Sequence, residues 1–185
     1  MEILIILGAV LVVPVLFVIV QYNGLIALRN HIADAWANID TELKRRYELI
    51  PNLVATVKGY AAHEREVLER VIELRNRCMT HASASATEQR DEQELVDTLK
   101  HVLVIAENYP QLKADQHFLK LQQELVNTED RIQAARRFYN GNVRDYRNKC
   151  ESFPSNVVAQ MFGFKPIDFF NVESAVQREN PQPRF

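Results

Sequence analysis

The sequence predicts an all-α protein: an N-terminal transmembrane helix followed by an antiparallel up-and-down four-helix bundle. Three observations carry that prediction. Residues 3–20 form an unbroken, uncharged apolar run, ILIILGAVLVVPVLFVIV. Beyond Gln21 the apolar residues recur at alternating steps of three and four, the period of a helix face. Five glycines and seven prolines in 185 residues are too few for a strand-rich chain full of tight turns.

The apolar run predicts a retained membrane anchor over 1–21, marked by Ile3, Leu7, Val12, Pro14, Phe17 and Val20. Its 18 residues reach roughly 27 Å as a helix, close to the hydrocarbon thickness of a bilayer. Transmembrane helices tolerate Gly8 and Pro14. A cleaved signal peptide would want a basic leader, a shorter apolar core and a small-residue cleavage site. Here the leader is Met1-Glu2, and the run exits into Gln21-Tyr22-Asn23. Tyr22 sits where an interfacial aromatic belongs, whereas Trp36 lies well beyond the headgroups. Basic residues follow the run (Arg29, Lys44, Arg45, Arg46) and none precedes it, so the charge bias predicts an external N-terminus and a cytoplasmic domain.

The soluble helices follow from their seams. Ile32, Trp36, Ile39, Leu43, Ile50, Leu53, Val57 and Tyr60 form an a/d-like stripe interrupted at Arg46. Asp40 with Lys44, Glu42 with Arg46, Glu66 with Arg70 and Glu73 with Arg77 stand four apart on the other faces, as solvated helix surfaces do. Pro51 removes one backbone hydrogen bond and predicts a bend. Lys58-Gly59-Tyr60 offers a stop, and ASASAT over 82–87 is a small polar loop. A helix over 92–109 would bury Leu95, Leu99, Val102, Leu103 and Ala106. After a turn at Asn108-Tyr109-Pro110, a last helix over 113–152 carries the seam Phe118, Leu121, Leu125, Ile132, Ala135, Tyr139, Val143, Tyr146 and Cys150.

Lengths choose the architecture. Residues 22–58 span roughly 55 Å as a helix, 62–80 and 92–109 about 27 Å each, and 113–152 about 60 Å. Up, down, up and down closes into a four-helix bundle over 22–153 whose chain returns to the membrane. The alternative is a three-helix arrangement in which one very long first helix runs on to Met79. Residues 154–185 form an aromatic C-terminal segment and a loose tail. Cys78 and Cys150 set no disulfide framework; in the bundle geometry they lie far apart, and unpaired thiols fit a reducing compartment.

Without Glu2 the soluble part holds 22 basic and 23 acidic residues, a balance that argues against nucleic-acid binding. His63-Glu64 begins HEREV rather than HExxH, and His31, His81, His101 and His117 have no metal-ligand spacing. No Gly-rich phosphate loop, nucleophile elbow or Glu-x-x-His pair occurs. The reading is therefore non-catalytic, without cofactor, metal or small-molecule substrate. Lys44, Arg45, Arg46, Arg136 and Arg137 on the two long helices are candidate partner contacts. Arg29, Arg144, Arg147 and Lys149, nearer the bilayer, are candidate lipid-headgroup contacts. Met161, Phe162, Phe164, Phe169 and Phe170 crowd a segment cut by prolines and a glycine, and so much aromatic surface caps the bundle, lies in the interface or binds another copy.

Several stretches resemble the LemA family of bacterial membrane proteins: AWANID (35–40), KRRYELIPNLVATVKGYAAHE (44–64), ENYPQLKA (107–114), ARRFYNGNVRDY (135–146) and FPSNVVAQMFGF (153–164). The similarity covers about residues 1–172. Gly141 and the run Arg147-Asn148-Lys149-Cys150 depart from a typical member. The resemblance implies one transmembrane helix in the bacterial inner membrane, an external N-terminus and an up-and-down helical bundle, with no catalytic residues to carry over. It also implies the company of membrane zinc metalloproteases and other small membrane proteins, and one relative acts in magnetosome formation. The combined expectation is a membrane-anchored helical scaffold or adaptor that self-associates and organises partner membrane proteins. The alternative is a membrane-shaping or lipid-organising protein.

The anchor reading predicts that alkaline-washed membranes keep the full chain in the pellet and that deleting residues 2–21 releases it. A full chain that washes off would contradict a spanning helix.

Overall fold

A computed structural model describes residues 1–61, 63–80 and 86–170 of the chain, with side chains for Met1, 12–61, 63–80 and 90–170. The side chains of Ile3 and Leu7, His81, most of the ASASAT loop and the tail from 171 lie outside the described residues. The fold is all-α. Every regular element among the described residues is a helix: α1 (Glu2–Lys58), α2 (Arg65–Thr80), α3 (Ala86–Ala106), α4 (Pro110–Lys113), α5 (Gln116–Glu151) and α6 (Ser155–Met161). One of them, α1, is long and apolar enough to cross a membrane by length and composition. Val12, Pro14 and Val20 are exposed along it, and Phe17 is half-buried.

The termini of the helices have local causes. α1 passes through Pro51 and ends at Lys58, where the Tyr60 and Ala61 amides donate to the Val57 carbonyl at 3.0 and 2.8 Å. The first helix therefore stops near Gly59 and does not run on to Met79. Tyr60, expected on the seam, lies past the helix end and is 40% exposed. α3 begins at Ala86, six residues before the expected Glu92, because Ala86, Glu88 and Gln89 favour helix. Pro110 opens the single turn of α4, with its fixed φ suited to a first helical position. α5 starts at Gln116, not 113, since Asp115 caps it: Oδ1 accepts from the Phe118 amide at 2.9 Å.

The described residues divide into two compact units, Met1–Arg46 with Gln123–Phe169, and Tyr47–Gln122 with Phe170. In the first unit, α1 and α5 run antiparallel. The register is legible from its pairs: Arg45 meets Glu124 at 3.4 Å, Arg46 meets Glu129 at 3.0 Å, and Trp36 meets Tyr139 edge-on at 5.7 Å. As the residue numbers fall on α1 they rise on α5. Leu25, Ile32, Ala35 and Ile39 are buried on α1, and Leu125, Ile132, Tyr139, Val143 and Tyr146 on α5. Each fully buried aliphatic side chain contributes roughly 1.5–3 kcal/mol, and the aromatic pair about 0.5–1.5 kcal/mol more. Arg46 breaks the apolar seam yet is 2% exposed, its charge met by Glu129.

In the second unit, α2 and α3 form an antiparallel pair, since Arg70 bonds Glu94 and Arg77 bonds Asp91. Leu68, Val71, Leu74 and Cys78 line one side, and Leu95, Leu99, Val102 and Ala106 the other. Tyr47 ties the end of α1 to both helices: its hydroxyl donates to Glu92, and its carbonyl accepts from Arg75 Nε at 2.7 Å. Ile105 and Leu112 are buried here although neither was on the expected seam.

Glu129→Ala removes the carboxylate facing a buried guanidinium, and we expect a loss of about 1–3 kcal/mol, read as a lower thermal midpoint of the full chain in detergent. Arg46→Met removes the charge but keeps the apolar volume and should cost less. A Glu129→Ala chain as stable as wild type would show that the pair adds nothing. Asp115 offers a pH test. The Phe118 amide, and then the Tyr60 hydroxyl at 3.0 Å, hold its carboxyl below the ordinary 3.8. A depressed folded-state value stabilises above the unfolded value and is lost as pH falls through the folded one. The thermal midpoint of Asp115→Ala should thus lie below wild type at neutral pH, and the gap should close below about pH 4. A gap constant down to strongly acidic pH would refute the charged cap.

Candidate functional site

The place that gathers unusual chemistry is where α1 leaves the apolar span. Three chain segments of the first unit meet there: Tyr22, Ile26 and Arg29 on α1, Tyr146 on α5, and the residues after α6. They enclose a crevice of about 360 Å³, walled on its C-terminal side by Phe162 to Lys165 and Ile167.

The crevice exists because the chain reverses twice in a few residues. At the end of α5, the buried Ser155 hydroxyl lies 2.7 Å from the Lys149 carbonyl, which the ending helix leaves open, and donates to it; the Ser152 carbonyl accepts from the Asn156 amide at 2.9 Å. α6 then runs for seven residues, burying Val158 and Ala159. It stops in a Schellman arrangement: the Gly163 amide donates to Gln160 at 3.2 Å and the Phe164 amide to Ala159 at 2.9 Å. Gly163 has φ +70°, a left-handed conformation that disfavours any side chain. The turn brings the rings on either side of it onto one target. Phe162 and Phe164 both pack edge-on against Tyr22, with centroids 4.9 and 5.6 Å away.

Cations surround the aromatic cluster. The Arg29 guanidinium lies 5.9 Å from the Phe164 ring centre, and that of Arg147 lies 5.3 Å from the Phe169 ring. Lys149 lays its ammonium on α1 at Gly24: a Cβ there would sit 2.2 Å from Nζ. Lys165 lines the crevice itself. Among the described residues no carboxylate lies within 4 Å of Arg29, Lys149 or Lys165. Tyr146 supplies a neutral wall, because burial, followed by the hydrogen bond with Cys150, pushes its hydroxyl up to about 12. Burial likewise raises the Cys150 thiol.

The candidate residues read from the sequence therefore separate. Arg29 and Lys149 converge at the exit of the span, as do Phe162 and Phe164. Arg147 is shared between Phe169 and Glu151, the latter at 3.6 Å, while Arg144 is exposed beside Asp145 at 4.0 Å. Met161 is exposed, and Phe170 lies in the second unit. Of the proposed basic stripe, Lys44 pairs with Asp40 at 2.6 Å and Arg45 with Glu124. Arg46 departs from it, because its seam position turns the guanidinium inward. Arg136 is half-buried and Arg137 exposed. Lys165, Gly163 and Tyr146 went unnoticed as site residues. A glycine between two phenylalanines was the signal for the turn that assembles them. His63 is exposed, and the described residues hold no cluster of three or more potential metal ligands.

The chain is similar to known proteins over most of its length. The family model for the LemA family matches residues 35–185. Protein LemA of Metamycoplasma hominis is 28% identical over 81% of this chain and 66% of its own length, so the chain spans just under two thirds of that relative. Magnetosome protein MamQ of Magnetospirillum gryphiswaldense is 22% identical, over 85% of this chain and 67% of the relative. Magnetosome protein MamQ 2 of Paramagnetospirillum magneticum is 23% identical, over 90% and 73%. The family match takes in α5, α6 and the Phe-Gly-Phe turn but begins after Tyr22 and Arg29. Taken with an all-helical fold and an exposed apolar span, it makes this a helical, membrane-associated protein, and the chain belongs to the LemA family.

Proposed function

We propose that the chain is a membrane-anchored, non-catalytic scaffold that self-associates and organises partner proteins at the bacterial inner membrane, with its N-terminus outside and its helical part in the cytoplasm. The observation that carries this reading is on α5. Phe138 stands 60% exposed, with Ala134 one turn before it and Gly141 and Asn142 one turn after. A protruding aromatic ring among small neighbours suits insertion between helices of a partner, and aromatic anchors dominate the energetics of such contacts. Lys44 and Arg45 of the same unit are already engaged, with Asp40 and Glu124. Confinement to a membrane plane raises effective concentration, so weak contacts suffice to build an assembly. The relatives that are magnetosome proteins accord with a role in building a larger structure. A membrane metalloprotease is the partner class that the family resemblance suggests.

The test is purification of the full chain in mild detergent, with mass measurement and identification of what accompanies it. We expect an oligomer or a defined companion, and Phe138→Glu should shift the mass to monomer while leaving the helical spectrum intact. A lone wild-type monomer without companions would overturn the scaffold.

A further inference from the structure

The exit of the span carries a more specific assignment, one that rests on the membrane-anchored reading. The crevice begins at Tyr22, two residues beyond Val20, the last apolar residue of the exposed span. Headgroups occupy the next several ångströms outside the hydrocarbon, about 5–8 Å per leaflet. Arg29 is roughly 14 Å past Val20 by helix rise, but Cα–Cβ bonds tilt toward a helix N-terminus, here toward the bilayer, and the long side chain covers the remaining gap.

Three features point to one kind of occupant. The positive charge of Arg29 and Lys165, with Lys149 beside them on Gly24, meets no carboxylate of the described residues, whereas Arg45, Arg46 and Arg147 of the same unit each have one. The crevice is half aromatic, as suits a ligand with an apolar end. And α6 presents apolar side chains outward: Val157 and Met161, four apart, are 52% and 66% exposed, opposite the buried Val158 and Ala159, and Phe153 just before the helix is 83% exposed. That face is fixed beside the span by the Phe162–Tyr22 contact. An apolar face next to a bilayer, with unneutralised cations just above it, fits the interfacial layer.

We propose that this crevice receives the phosphate of an anionic phospholipid, held by Arg29 and Lys165 with its glycerol against Tyr22 and Phe164, while the outer face of α6 lies among the upper acyl carbons. A volume of about 360 Å³ accommodates a glycerophosphate headgroup and little more.

The experiment is native mass spectrometry of the full chain released from vesicles of neutral phosphatidylcholine mixed with phosphatidylglycerol, counting retained lipids. We expect preferential retention of one phosphatidylglycerol, reduced about fivefold for each of Arg29→Gln and Lys165→Gln, restored by Arg29→Lys and unchanged by Arg144→Gln, which removes an equally near but exposed charge. Gly163→Val keeps every cation but misdirects the turn and should also lose the lipid. Equal retention of both lipids, indifference to Arg29→Gln and Lys165→Gln, or an equal loss with Arg144→Gln would overturn the site. Displacement by inorganic phosphate at low millimolar concentration would assign the crevice to a soluble anion and overturn the lipid. The same vesicle preparation separates this failure from that of the anchor: a chain that floats with vesicles yet shows no lipid preference loses only the crevice.

Discussion

The constraint on which this structure depends is the continuity of one helix. α1 runs as a single hydrogen-bonded rod from the apolar span into the soluble part, with no loop at the boundary. A helix crossing a bilayer satisfies its own backbone, which is the condition for being there at all. Extending the same helix past the headgroups means that its register is set by the span. Once Val20 is at the hydrocarbon edge, Tyr22, Arg29 and Trp36 have fixed heights and directions. α5 returns along it antiparallel, and its end arrives where α1 leaves the apolar span. The crevice is a consequence of that return: α5 ends beside the end of the apolar span, and the chain beyond it folds onto Tyr22.

Burial is divided between two kinds of contact. Aliphatic side chains do most of it in both units, as three-four spacing demands. At the positions where polar groups enter the interior, the structure meets them individually: Glu129 for Arg46, Glu92 for the Tyr47 hydroxyl, and the Lys149 carbonyl for Ser155. Leaving such groups without partners would cost a few kcal/mol each. These polar contacts specify which residue faces which, something that interchangeable leucines and isoleucines do poorly.

Much of this was legible in the sequence, because helix periodicity is a strong signal over long segments. The all-α class and most of the buried seam followed from spacing, the span from an uncharged apolar run, and the stop near Gly59 from a glycine and the helix lengths. Departures came where local rules compete. Tyr60 kept the spacing but fell beyond a glycine stop, so it is exposed. α3 started early because good helix formers preceded the apolar face. Arg46 looked like a member of a basic surface cluster, since periodicity places a residue on the seam but does not reveal a carboxylate far away in the chain. The candidate site was half legible. Arg29 and Lys149 were chosen for their nearness to the expected membrane, and both lie near the end of the apolar span. Lys165 and Gly163 were missed, because their roles depend on a turn that brings residues from opposite ends of the chain together.

Gly163 deserves a final consequence. Its left-handed backbone angle is the point through which the last described stretch of the chain is steered back over the first helix. An element seven residues long has little cohesion of its own. Its position is held by the burial of Ser155, Val158 and Ala159, by two ring-to-ring contacts with Tyr22 and by the turn itself. A side chain at this one glycine would therefore be felt at Tyr22, some 140 residues earlier in the sequence.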